Sequence, residues 1–450
     1  MNQGKIQFHS SMKHLNEGFE WAKEQALFYA HDKEDPVGAW YEAALPGRNA
    51  FCIRDVCHQA AGAAALGLTR HTKNMLYQFA ENISEGKDYC TWWEITKDGK
   101  PCPDDYNSDE DFWYNLPANF EIIRACYLQY LWTRDEDYIN DPVFLDFYKM
   151  SCQEYVQKWD VDKDGILEHY SEYKNRGIAT YNEADVNIKT AGDMLASQYA
   201  GYGFYARILR LRREAAEAVH YEKKQQELKH KYLTRWYDEE SHGFYGAMLM
   251  DGSFYKNYDM EGNFLPLYYG ILDDEKKMQD ALNQLREQEP SNVEGRSYYP
   301  QLFYDCGDER KGYEYLSSLC EASLSRREYP EVSYALIGTM TNCLMGVKAS
   351  EENEIITRSK LPEGEWASLT NVALIQKEID ITHHGKTESI LKNNSDTKLT
   401  WKAVFEGNHE AVWHDNKRLT CSHETDIAGE ETSFVLIEVG AGKEVSLKRS

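Results

Sequence analysis

Gly47-Arg-Asn-Ala-Phe-Cys-Ile-Arg-Asp-Val-Cys-His-Gln-Ala-Ala-Gly-Ala-Ala-Ala-Leu-Gly67 sets a charged pair, Arg54 and Asp55, at the mouth of a segment otherwise made of small and apolar residues. The alanines and glycines from Val56 onward predict a helix packed tightly against neighbours, because small side chains let backbones approach and offer little to solvent. The pair then lies where the helix meets a loop, and loops on a rigid scaffold are where binding groups gather. The alternative is a buried Arg–Asp salt bridge, since buried charges persist when paired.

Outward from this stretch, apolar residues recur at helical spacing along most of the first 347 positions. Helices are expected at about 11–31, 56–68, 71–84, 116–132, 142–159, 188–213, 215–236, 263–272, 275–288, 311–322 and 331–347, with a weak one at 298–304, about twelve in all. Tyr89-Cys-Thr-Trp-Trp-Glu-Ile reads as strand-like, and Pro101 to Asp111 as acidic turns.

Near residue 350 the pattern changes to short alternating runs, among them Val372-Ala-Leu-Ile, Glu378-Ile-Asp-Ile-Thr, Leu399-Thr-Trp-Lys-Ala-Val-Phe and Ser433-Phe-Val-Leu-Ile-Glu-Val, separated by turns rich in Asn, Asp and Gly. Such a pattern predicts a β-sandwich. The division is therefore a helical domain over 1–347 and a β-domain over 348–450. Paired helices suggest a closed ring of hairpins whose inner helices point their loops into a common cavity.

Phe51-Cys-Ile-Arg-Asp resembles the start of an inner helix in the six-hairpin glycosidases, the (α/α)6 barrels that include glucoamylases, trehalases and α-L-rhamnosidases. The resemblance implies a mainly α fold, an (α/α)6 barrel or six-hairpin toroid followed by a small C-terminal β-sandwich. It implies that Arg54 and Asp55 hold hydroxyls of the sugar being released. Two departures stand out. The rhamnosidase segment continues Arg-Asp-Glu with the Glu as proton donor, whereas Val56 follows Asp55 here. The glucoamylase acid lies in a Trp-Glu-Glu segment, where this chain reads Tyr181-Asn-Glu-Ala-Asp-Val-Asn.

Glycoside hydrolysis needs a protonated carboxyl on one side of the scissile bond and an ionised one on the other; in the inverting arrangement they stand about 6.5–9.5 Å apart with a water between. The first candidates are Glu183 and Asp185, beside Tyr181, with a helix cap as the alternative role. The second are Glu328 and Glu331, before the last helix, where the resemblance implies the catalytic base. Glu294, on a neighbouring loop, is a third binding candidate. Trp92-Trp93-Glu94 and Phe112-Trp113-Tyr114 read as subsite walls, because aromatic faces stack on sugar rings while a carboxylate binds hydroxyls. His58, one turn after Arg54, either faces the same cavity or is a satisfied core histidine.

Asp160, Asp162 and Asp164 fit the opening of a calcium loop, but Ser171 stands where a bidentate Glu is required, so a polar turn and no cofactor are expected. The formal charge of −25 argues against nucleic acid and against an anionic membrane surface, because both need clustered Lys and Arg. With 32 Tyr and 11 Trp the chain suits a neutral ligand having apolar faces and hydroxyl edges, such as a carbohydrate. The ten Cys form no C-x-x-C pair and read as buried thiols. No signal-peptide h-region opens the sequence, and no run reaches the roughly 18 apolar residues of a membrane span, so the expected location is cytoplasmic, or secreted from a form whose signal peptide was removed.

The expected activity is an inverting, exo-acting glycoside hydrolase. Its rivals are a polysaccharide lyase on the same toroid and a non-catalytic carbohydrate-binding protein, since fold does not fix function.

Overall fold

The computed structural model describes residues 3–32, 34–183, 187–426 and 428–449. Among the described residues, the first part is built on twelve helices of nine residues or more: α1 (Lys13–Phe28), α2 (Ile53–Ala65), α3 (Thr69–Glu81), α4 (Ala118–Thr133), α5 (Pro142–Cys152), α6 (Gly192–Leu211), α7 (Ala215–Arg235), α8 (Met260–Tyr268), α9 (Glu275–Arg286), α10 (Val293–Asp305), α11 (Glu309–Cys320) and α12 (Pro330–Thr339). The even-numbered helices contact one another in a cycle: α2 meets α4, then α6, α8, α10 and α12 follow, and α12 returns to α2. The odd-numbered helices lie outside, with α3 on α2, α7 on α6, α11 on α10 and α1 on α12.

Composition explains the two layers. An inner helix is buried all round, as in α12, where every residue from Pro330 to Thr339 is buried, and such a helix has no polar face to display. An outer helix such as α9 buries only Met278, Ala281, Leu282 and Leu285, at the 3–4 residue spacing of one stripe. The alanine-rich α2 lies against α12 so closely that a Cβ on Gly62 would stand 2.0 Å from the Tyr334 carbonyl oxygen. Small residues in the opening stretch therefore set the helix–helix distance.

The elements differ from the sequence expectation in several places. Ile188–Ala191 is a strand paired with Ala247–Leu249, so the helix expected at 188–213 begins at Gly192. The helix expected at 142–159 breaks at Gln153 (φ −116°, ψ −81°). The weak helix at 298–304 is the full inner helix α10, whose burial on all sides hides its period. In the strand-like stretch only Glu94–Thr96 pairs, with Ala50–Cys52 just before α2.

After α12 the chain forms two sheets. The five-stranded one runs in the order Lys348–Ala349, Glu354–Arg358, Leu399–Glu406, Glu431–Val439, Ser422–Thr425. The seven-stranded one takes its edge strand from the far end of the chain: Gln7–Ser10 pairs antiparallel with Trp366–Leu374, Gln7 opposite Thr370 and Ser10 opposite Ala367. Alternate residues such as Ile379, Ile381 and His383 turn inward, and both sheets share one hydrophobic core with the helices. No helix among the described residues is long and apolar enough to cross a membrane.

Candidate active site

All six inner helices carry an acidic residue in their first turn: Asp55, Glu121, Asp193, Glu261, Glu294 and Glu331. A helix N-terminus favours negative charge. Two adjoining cavities open there, of about 550 and 290 Å³, and Leu45, Arg54, Glu183 and Glu294 line both.

Arg54 is central. Its Nε stands 3.7 Å from Asp55 Oδ1 and its guanidinium lies 5.5 Å from the Tyr181 ring centre. Burial raises the Asp55 carboxyl, with Arg54 opposing and Glu294 and Glu183 adding to the rise. Glu331 is 4% exposed and held well above the usual carboxylate range, first by burial and then by Asp55. Glu261, on the larger cavity, is pushed up to about 7 by burial. Glu94, 2% exposed, is raised by burial and by its hydrogen bond with Asp105, against Arg48 at 3.2 Å. Carboxyls of raised proton affinity thus stand beside Glu294, which is paired with Arg326 at 3.1 Å.

The loop carrying Glu183 is tied down from two sides. Tyr181 donates its hydroxyl to Glu121 Oε2 (2.8 Å) and its N–H to Asp193 Oδ2 (2.6 Å). Glu121 and Asp193 are thereby anchors, and Glu183, two residues beyond Tyr181, is exposed on the cavity.

Of the residues singled out from the sequence, Arg54, Asp55, Trp93, Glu94, Trp113, Glu183, Glu294 and Glu331 line the smaller cavity, and Tyr181 the larger. Glu328 is exposed and lines neither cavity; its carbonyl oxygen accepts the Tyr29 hydroxyl. Trp92 packs against Tyr106 and Lys87 outside the cleft. His58 is a core residue stacked on Tyr298 at 3.6 Å, with Nε2 2.8 Å from Ser297 Oγ, and burial lowers it to about 3. Asp185 lies outside the described residues. Arg48, Asp105, Glu261, Tyr298 and Arg326 were not foreseen. Glu261 had a signal, an acid in the first turn of every second helix, which becomes visible once the inner helices are known.

No protein-family model and no curated protein matches the sequence. Solved structures do match the fold. A GH78 family rhamnosidase of Bacillus sp. GL1 superposes with a TM-score of 0.61 at 14% identity, over 87% of this chain and 40% of its own. The α-L-rhamnosidase from Dictyoglumus thermophilum gives 0.62 at 13%, over 99% and 50%. A glycosidase variant in complex with glucose gives 0.53 at 10%, over 73% and 98%.

The chain shares its fold with these glycosidases.

It spans 40% and 50% of the length of the two rhamnosidases. Away from the cleft, ligand atoms of Asp160, Asp162 and Asp164 lie within 4.8 Å of one another. The loop is closed by backbone donors, Gly165 N–H to Asp160 and Ile166 N–H to Asp164. Lys189 Nζ reaches Asp162 at 2.7 Å and Glu168 at 2.8 Å, and Arg235 reaches Asp164 at 3.4 Å.

Proposed function

We propose that the cycle of hairpins is an (α/α)6 barrel and the paired sheets after residue 348 a β-sandwich, and that the chain is a glycoside hydrolase acting with inversion on a terminal sugar. The observation that carries this reading is the single cavity on which Arg54, Asp55, Glu183 and Glu331 meet. Arg54 and Asp55 hold hydroxyls of the departing sugar, with Trp93 and Trp113 offering ring faces.

Glu183 is the proton donor to the leaving oxygen. Glu331 is the general base. Its burial beside Asp55 makes its conjugate base stronger, the tuning expected of a carboxylate that activates water. Asp185 is the alternative donor on the same loop. No step uses a cofactor.

The many loops over the N-terminal ends of the inner helices favour exo action. A lyase needs a basic cleft for uronates, whereas this one is lined by Asp55, Glu94, Glu183, Glu261, Glu294 and Glu331. The test is a panel of aryl glycosides and short oligosaccharides with the released anomer followed by NMR. Release of one monosaccharide with inverted configuration supports the assignment; retained configuration overturns the water-activating role of Glu331. Sugar binding without turnover on any member leaves a binding protein.

A further inference from the structure

Behind this cleft, residues of the inner helices α2, α4, α6, α8 and α10, with the segment that follows α12, line a second cavity of about 260 Å³. An aromatic layer separates it from the catalytic cleft. Tyr298 lines the front cavity, while His58, stacked on it, and Tyr268, edge-on to it at 5.0 Å, line the rear one.

The rear wall is polar where a structural void would be apolar. Gln129 is 2% exposed; its Nε2 donates to the Ala60 carbonyl oxygen, and its Oε1 has no hydrogen-bond partner among the described residues. The Trp132 indole N–H, on a residue 7% exposed, and Asn342 Oδ1 also have none. Arg124 lies 4.8 Å from the Tyr268 ring centre and makes no ion pair among the described residues. A buried polar group left without a partner costs about 1–3 kcal/mol, and such groups on residues lining one cavity are completed by what fills it.

The chemistry of the wall selects the occupant. Gln129 and Asn342 accept, Trp132 and Arg124 donate, and Phe204 and Tyr268 supply ring faces. Asp305 and Lys348 pair at 3.6 Å and leave no net charge between them, and the partial negative charge of the helix C-termini offsets Arg124. A free anion or cation is therefore disfavoured, and mixed donors and acceptors with aromatic faces fit hydroxyls on a carbon ring. The space equals that of roughly nine waters at about 30 Å³ each. We propose that this rear cavity is a second binding site, for a neutral polyhydroxylated molecule of about monosaccharide size.

Binding is measured here without turnover, so this site can fail while the hydrolase reading stands, and the reverse. Calorimetric titration of the full chain carrying Arg54→Leu, which weakens the front site, is made with D-glucose, L-rhamnose and myo-inositol in turn. The expected result is one site for at least one of the three. Adding Gln129→Leu weakens it at least tenfold, and adding Trp132→Phe, which leaves a smaller aromatic ring without the N–H, weakens it several-fold. Gln129→Leu alone leaves turnover unchanged. No binding by any of the three, or binding unaffected by Trp132→Phe, overturns the proposal and leaves a cavity that holds water.

Discussion

Glu331→Gln exchanges a carboxyl for an amide of nearly equal size at a position 4% exposed, so packing is conserved and the chemistry is removed. A positioned general base contributes about 10²–10⁴-fold, which at about 1.36 kcal/mol per tenfold is roughly 2.7–5.4 kcal/mol of transition-state stabilisation. The assay is kcat/KM on aryl glycosides whose leaving groups span a wide range of acidity, with and without azide. Loss of a base costs the same for good and poor leaving groups, and azide, entering the space beside Asp55, restores turnover. If the best leaving group instead reacts almost as fast as with the unaltered protein, Glu331 is the proton donor and the roles proposed for it and Glu183 are reversed.

The same variant carries a stability signature. The folded Glu331 carboxyl titrates above its ordinary value, because burial and Asp55 oppose its charge. The folded state thus binds this proton more tightly than the unfolded chain, and the contribution is full below the ordinary carboxylate range and is lost as pH rises. Each unit of pH above that range costs about 1.4 kcal/mol until the group ionises. The melting temperature of Glu331→Gln is accordingly equal to that of the unaltered protein near pH 3.5 and higher at pH 8. A fall at pH 8 refutes the electrostatic account.

Further outcomes follow from other contacts. Arg54→Leu removes charge-assisted hydrogen bonds to the sugar of about 1.5–3 kcal/mol, and kcat/KM on an aryl glycoside falls by roughly 10–150-fold. Gly62→Val drives a side chain into the Tyr334 carbonyl and lowers stability by about 1–3 kcal/mol or more in urea unfolding. His58 is lowered to about 3 by burial, then by Arg124 and Arg54; the unfolded chain takes up its proton first, so this stability is full above about pH 6.5 and is lost down to about pH 3. His58→Phe, which keeps the stack on Tyr298, flattens that acid limb in a melting-temperature series. Trp93→Ala raises KM for an oligosaccharide while circular dichroism is unchanged, because Trp93 faces the cavity; Trp92→Ala, outside it, leaves KM as it was.

How much of the site the sequence exposed differs residue by residue. Arg54 and Asp55 were legible because two charges among alanines need a reason. Glu183 and Glu331 were legible as acids at helix starts, but Glu328 looked equally good. The two sit three positions apart, and only the first turn of α12 turns one inward and leaves the other in solvent. Trp92 and Trp93 are neighbours whose side chains go to different sides of the wall. His58 has the spacing to reach the cleft, yet Tyr298 comes between.

The sequence by itself determined the helical first part and the strands after residue 350, because periodicity, small residues and turn chemistry act over a few positions. It also marked the acidic, aromatic character suited to a neutral hydroxylated ligand. Tertiary structure alone decided which helices are inner, which acids share a cavity, and that the strand Gln7–Ser10 joins a sheet formed more than 350 residues later. Those facts depend on contacts between residues far apart in the chain, and on burial, which sets the proton affinity of each carboxyl only when its neighbours have arrived.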